Sequence, residues 1–181
     1  QTQRFPRSGE ATESISLSTD LGLTTITATI GPEGLFLPNG EHLGWDAIEE
    51  VNESPNGCFA IKGGRPEKIQ TFSAATNRLC SLMPTAGAPT MLVAGFTMHR
   101  IKNCDPYQDA LAKVEAIAPI RGVVLDTATG LGYSAIAAAR TAERVHTIEL
   151  DPGAQEIARR NPWSQALFDN PVITQSLGDS D

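Results

Sequence analysis

Residues 123–135 read VVLDTATGLGYSA, and the fold turns on how this stretch is understood. Val123, Val124 and Leu125 make a short apolar run that closes on an acid, Asp126. A loop follows with glycine at two alternating positions, Gly130 and Gly132. A run of small residues, SAIAAARTA at 134–142, then begins at once. An almost wholly apolar strand is the mark of a sheet buried on both faces, which is the habit of parallel sheets. Glycines between such a strand and a helix let the backbone turn sharply and come close to a ligand or a neighbouring element. The stretch therefore predicts a strand at 123–126, a binding loop and a helix at 133–142.

Moving outward, the same alternation continues. A second apolar strand is expected at 144–150 (RVHTIEL), a helix at 153–167 and a third strand at 172–176. Glu149 falls at the carboxyl end of the second strand, nineteen residues after Gly130, and Gly178-Asp179 follows the third. Upstream, Asp105-Pro106 supplies an N-cap and a proline for the first helical position ahead of a helix at 107–118, which Pro119 stops. Apolar strands separated by helices indicate βαβ units.

Residues 14–100 have another character. Glycine and proline are dense, and short β-prone runs are expected at 15–18, 24–30, 35–37, 59–62, 68–72, 79–82 and 91–96, with Gly63-Gly64 as a hairpin turn. One short helix is expected at 45–51, with Trp45, Ile48 and Val51 on one face. The organisation is then a polar tail at 1–13, a β-rich module at 14–104 and an α/β segment at 105–181. The fold class is α/β: a β-rich N-terminal module followed by a partial Rossmann-like, doubly wound parallel domain.

Composition narrows the function. The chain has 181 residues, 14 Lys plus Arg against 21 Asp plus Glu, and a formal net charge of −7. That balance excludes a binder relying on a strong basic field, so there is no strong nucleic-acid signature. No run approaches the roughly 18 apolar residues of a membrane span. The polar start resembles no signal peptide, and the expected location is cytoplasmic. Cys58, Cys80 and Cys104 form no CxxC pair and are expected as plain buried or half-buried thiols. With the scattered His42, His99 and His146 they give no metal pattern. The first residue is Gln1 and the last expected strand is the third, so the expectation is a trimmed or truncated chain.

The trio of loop, strand-end acid and Gly-Asp resembles the class I S-adenosylmethionine-dependent methyltransferases, over about residues 121–181. Pro89-Thr90, Met98-His99-Arg100 and Asp105-Pro106 are similar to the β-rich leader of a little-characterised group of predicted microbial methyltransferases. The resemblance implies that S-adenosylmethionine is the cofactor. Asp126 with Gly130 and Gly132 would face its methionine end, Glu149 its ribose and Asp179 its adenine. It implies a methyl acceptor of unknown kind. It also implies that the catalytic motif follows a fourth strand, so no catalytic residue is assigned. The first strand's far edge is expected to be open, to be covered by another chain, a second copy or the N-terminal module.

Other readings stay open. GLGYSA also fits the G-x-G-x-x-G/A pattern of NAD and FAD proteins, and its distance to Glu149 suits them. Against this, a carboxylate at Asp126 would repel a pyrophosphate, whereas S-adenosylmethionine carries an ammonium and a sulfonium and no phosphate. Aminopropyl transfer of the polyamine-synthase type uses a close relative of the same cofactor. A non-catalytic binding module is the bland alternative. Residue by residue, Asp126 also reads as a turn former, the glycines as turn residues, Glu149 and Asp179 as solvated acids. His99 and Arg100 read as a structural pair, and Tyr133 and Trp163 as packing residues.

Overall fold

The computed structural model describes residues 12–178, so the 1–11 stretch and Asp179 lie outside the described residues. The chain divides into two compact units, one formed by the residues up to 55 with 59–68, the other by 56–58 with those from 69 onward.

The first unit is an antiparallel meander. β1 (Glu13–Leu17), β2 (Ile26–Gly31), β3 (Gly34–Phe36) and β4 (His42–Gly44) lie side by side in chain order, followed by α1 (Trp45–Asn52) and the hairpin β5 (Phe59–Lys62) with β6 (Arg65–Lys68). Alternating residues turn inward: Ala28, Leu37 and Leu43 are buried, with Ile15, Leu17, Ile26, Leu35, Ile48 and Ile61 packed around them. Gly63 and Gly64 take φ of 57° and 76°, the paired left-handed geometry that a two-residue hairpin turn needs.

The second unit begins with a four-stranded antiparallel sheet made of β7 (Gln70–Ser73), β8 (Arg78–Met83), β9 (Thr90–Val93) and β10 (Phe96–Thr97), in the order β10-β9-β8-β7. Then come α2 (Pro106–Glu115), β11 (Val123–Asp126), α3 (Tyr133–Ala138), β12 (Arg144–Glu149), α4 (Pro152–Arg160), a 3₁₀ turn (Pro162–Ser164), α5 (Gln165–Asp169) and β13 (Ile173–Leu177). β11, β12 and β13 form a parallel sheet in that order, so the expected α/β class is what the chain adopts. Asp126, Thr147 and Gln175 share one row across it. On the opposite face of β11, Val123 and Leu125 are 65% and 62% exposed.

Several elements differ from the sequence-based expectation. The run at 68–72 is broken at Ile69, whose N–H donates to the Cys58 carbonyl (2.8 Å) and whose carbonyl accepts from Leu82 N–H (2.9 Å). The run at 91–96 is a hairpin, because Ala94 and Gly95 both adopt positive φ (50° and 85°). The helix expected at 153–167 breaks at Asn161-Pro162, where the Asn161 side chain accepts from Trp163 N–H (3.2 Å) and caps a new turn. The helix expected at 107–118 ends at Glu115 and the one at 133–142 at Ala138. The short strand β4 carries no sequence signal of its own.

The unit division falls after Lys68, so residues 69–104 join the α/β segment. The reason is packing: α4 lies against β7 and β8. A Cβ added at Gly153 would stand 2.9 Å from Ser73 Cβ and 3.5 Å from Cys80 Sγ, so only a glycine permits this approach.

A buried polar cluster holds the sheet and helices of this unit together. Tyr133, fully buried, donates its hydroxyl to the Pro89 carbonyl (2.9 Å) and accepts from Asn161 Nδ2 (3.0 Å). Asn161 Nδ2 also reaches Ser164 Oγ (2.7 Å), whose hydroxyl donates to the Leu131 carbonyl (2.7 Å). Tyr133→Phe leaves a buried carbonyl without its donor and should cost about 1–3 kcal/mol of stability. Urea denaturation of the two proteins measures it, and an unchanged midpoint would remove the cluster's structural role.

Candidate functional site

β11 delivers Asp126 to the start of the loop, and β12 ties down the first part of the loop. Thr129 N–H donates to the Ile148 carbonyl (3.0 Å), and Gly132 N–H closes a turn onto the Thr129 carbonyl (2.7 Å). Asp126 Oδ2 accepts from the Thr147 hydroxyl (3.0 Å), which is itself 2.6 Å from the Thr129 hydroxyl. The second Asp126 oxygen accepts from Ala128 N–H (3.4 Å). Thr129 and Thr147 are buried, so this hydroxyl relay is a cheap way to satisfy polar groups under the loop.

Glu149 bonds to the same loop. Its Oε2 accepts from Gly130 N–H (2.7 Å) and its Oε1 from Asp151 N–H (3.0 Å). Asp126, Gly130 and Glu149 are thus linked around one loop. Asp179 lies outside the described residues.

The two glycines have different reasons. Gly132 sits at φ 76°, and a Cβ there would meet the Leu167 methyl carbons at 2.6–2.7 Å, so folding itself demands glycine. Gly130, at φ 52°, would direct a Cβ at the flexible end of Met98, 2.5 Å from its sulfur. Gly132→Ala should therefore lower stability by about 1–3 kcal/mol through backbone strain and collision with Leu167. Thermal melting reads this, and an unshifted melting temperature would show that α5 yields freely.

Asp151, two residues beyond Glu149, was not singled out by its sequence, although the Asp-Pro pair at 151–152 repeats the cap signal of Asp105-Pro106. Its carboxylate caps α4 by accepting from Gly153 N–H (2.8 Å) and accepts from the Thr76 hydroxyl (2.6 Å). Burial pushes its pKa up, but hydrogen bonds from hydroxyl and backbone N–H groups outweigh burial and hold the carboxyl below its ordinary 3.8. A depressed folded-state pKa contributes stability above the ordinary value and loses it as the pH falls through the folded value. Asp151→Ala should cost about 1–2 kcal/mol near neutrality. The gap from the parent chain should narrow below about pH 4, and a gap constant from pH 7 to 3 would contradict the assignment.

His99 and Arg100 are anchored as a structural pair. The His99 ring stacks on Tyr133 (centroids 5.2 Å apart), and its Nδ1 lies 2.9 Å from the Thr90 hydroxyl. Burial first, and Lys113 second, lower the His99 pKa, against the opposing pull of Asp109. Arg100 pairs with Asp109 at 2.7 Å. Tyr133 and Trp163 both take part in ring contacts with Tyr107. Cys58 and Cys80 are buried and Cys104 is half-buried, all as free thiols. Among the described residues, no cluster of His, Cys, Asp and Glu is arranged to hold a metal ion, and no helix is long and apolar enough to cross a membrane.

No protein-family model matches this sequence. The uncharacterized protein MJ1233 of Methanocaldococcus jannaschii is 38% identical over 134 residues, which are 72% of this chain and 44% of that protein. The chain thus spans less than half the length of this curated relative. Among solved structures, the spermidine synthase of Thermotoga maritima overlaps 62% of this chain and 43% of its own, at 19% identity and a TM-score of 0.45. The tRNA m1G37 methyltransferase of M. jannaschii overlaps 80% of this chain and 45% of its own, at 19% identity and a TM-score of 0.38. These likenesses are loose, and the fold assignment stands on the parallel sheet itself.

Proposed function

We propose that residues 105–181 are the cofactor-binding half of an S-adenosylmethionine-dependent methyltransferase. The observation that carries this reading is the Glu149 carboxylate at 2.7 Å from Gly130 N–H. In a dinucleotide-binding loop the backbone N–H groups meet a pyrophosphate. Here one of them is engaged by a fixed negative charge, with Asp126 tied to the same loop through Thr147 and Thr129. A diphosphate would meet like charge at short range, whereas a cationic adenosine compound meets opposite charge. When bound, such a cofactor supplies an electrophilic methyl carbon on a sulfonium.

The chain's own residues have binding and orienting work to do. Each carboxylate oxygen of Glu149 accepts one N–H and retains lone-pair capacity for ribose hydroxyls. Asp126 supplies negative charge for the ammonium and sulfonium end, and Asp179 is proposed for the adenine amino group. The acceptor and the group that takes its proton are not assigned, and the meander of the first unit is proposed as an accessory or substrate-side module.

Equilibrium dialysis of the full chain against S-adenosylmethionine and NAD tests the reading: the first should be retained and the second not. Glu149→Ala should weaken retention by about 1.5–3 kcal/mol, the range for hydrogen bonds to a charged group. Retention of NAD alone, or affinity unchanged in the variant by titration calorimetry, would overturn the proposal.

A further inference from the structure

The glycine loop has a neighbour outside the parallel sheet and its helices. After β10 the chain runs Met98-His99-Arg100, and this arm is held on the loop side by three contacts. Met98 N–H donates to the Met91 carbonyl (2.8 Å), His99 N–H approaches the Thr90 hydroxyl (3.3 Å), and the His99 ring stacks on Tyr133, the first residue of α3. Thr90 is wholly buried, so the anchor is firm. What the anchor positions is the Met98 thioether, which lies against Gly130 on the side where any other residue would carry its Cβ.

Met98 is not a core residue. It is 42% exposed, whereas Met91, one pairing away in the same sheet, is fully buried. A thioether is uncharged, flexible and polarizable, suited to shaping itself against a ligand of irregular outline. A lysine or arginine there would repel a cation, and a carboxylate would crowd Asp126 and Glu149. The side chain therefore has one flank on the loop backbone and the other open beside it.

We propose that Met98 is a cofactor-contacting residue, its thioether forming a wall of the S-adenosylmethionine pocket beside Gly130, with His99 as the anchor that holds the arm in place. The inference rests on the cofactor reading above and adds that the antiparallel sheet contributes to the same site.

The sequence contains three methionines, Met83, Met91 and Met98, which makes oxidation a clean footprint. The full chain is exposed to dilute hydrogen peroxide, with and without saturating S-adenosylmethionine, and sulfoxide at each position is followed by peptide mass spectrometry. Met98 should oxidise faster than Met91 in the free protein, and the cofactor should slow it by about tenfold while NAD leaves it unchanged. In parallel, Met98→Trp should lower affinity by about tenfold or more with an unchanged melting temperature, while Met98→Leu stays near the parent. If dialysis shows the cofactor retained but Met98 oxidises at the same rate, or Met98→Trp binds normally, the inference falls and the cofactor reading survives. If the cofactor is not retained at all, both fall.

Discussion

A carboxylate that accepts N–H bonds from two separate stretches of backbone fixes the distance between them. Glu149 does this for Gly130 in the loop and Asp151 at the head of α4. Without it, the loop would have a backbone donor facing the end of the sheet with no acceptor, and the turn into α4 would lose its tie to β12. The bond also decides the electrostatic character of the site. A glycine loop is commonly an anion cradle because its N–H groups are free. In the function proposed above, engaging one of them with a carboxylate is what favours a cationic ligand over a phosphate.

A second carboxylate is managed differently. Asp126 is held through hydroxyls, with Thr147 donating to it and Thr129 touching Thr147. Hydroxyls donate and accept at once, so a buried relay can pass from strand to loop without leaving a polar atom unpaired. Asp151 completes the pattern by capping α4 while taking the Thr76 hydroxyl from the β7–β8 hairpin. Three acids within the α/β segment thus stitch loop, strand, helix and antiparallel sheet together. The folding of the hairpins onto α4 and the shaping of the loop are parts of one network.

Much of this was legible along the chain. The apolar run into Asp126, the spaced glycines and the alternation of strands and helices indicate parallel βαβ units, because strand burial and helix periodicity are written in local order. The Asp105 cap with Pro106 and the Gly63-Gly64 turn were readable for the same reason: each depends on the conformational preference of one or two residues. Elements that depend on distant partners were not readable. Ile69 interrupts a β-prone run because Cys58 and Leu82 take its backbone bonds. Ala94 takes a left-handed conformation that its type avoids, held by the register of β9 with β10.

The same boundary runs through the site. The sequence by itself determined which residues carry charge, which lack a side chain and how far apart they stand along the chain, and so the acidic, glycine-lined character of the loop. Tertiary structure alone decided that Glu149 bonds Gly130, that Gly132 is required by Leu167 and that Met98 lies on the loop from another sheet. Composition and spacing act through single residues and their immediate neighbours. Contacts between elements follow from how sheets and helices pack, and packing is settled only when every face of the unit finds its partner.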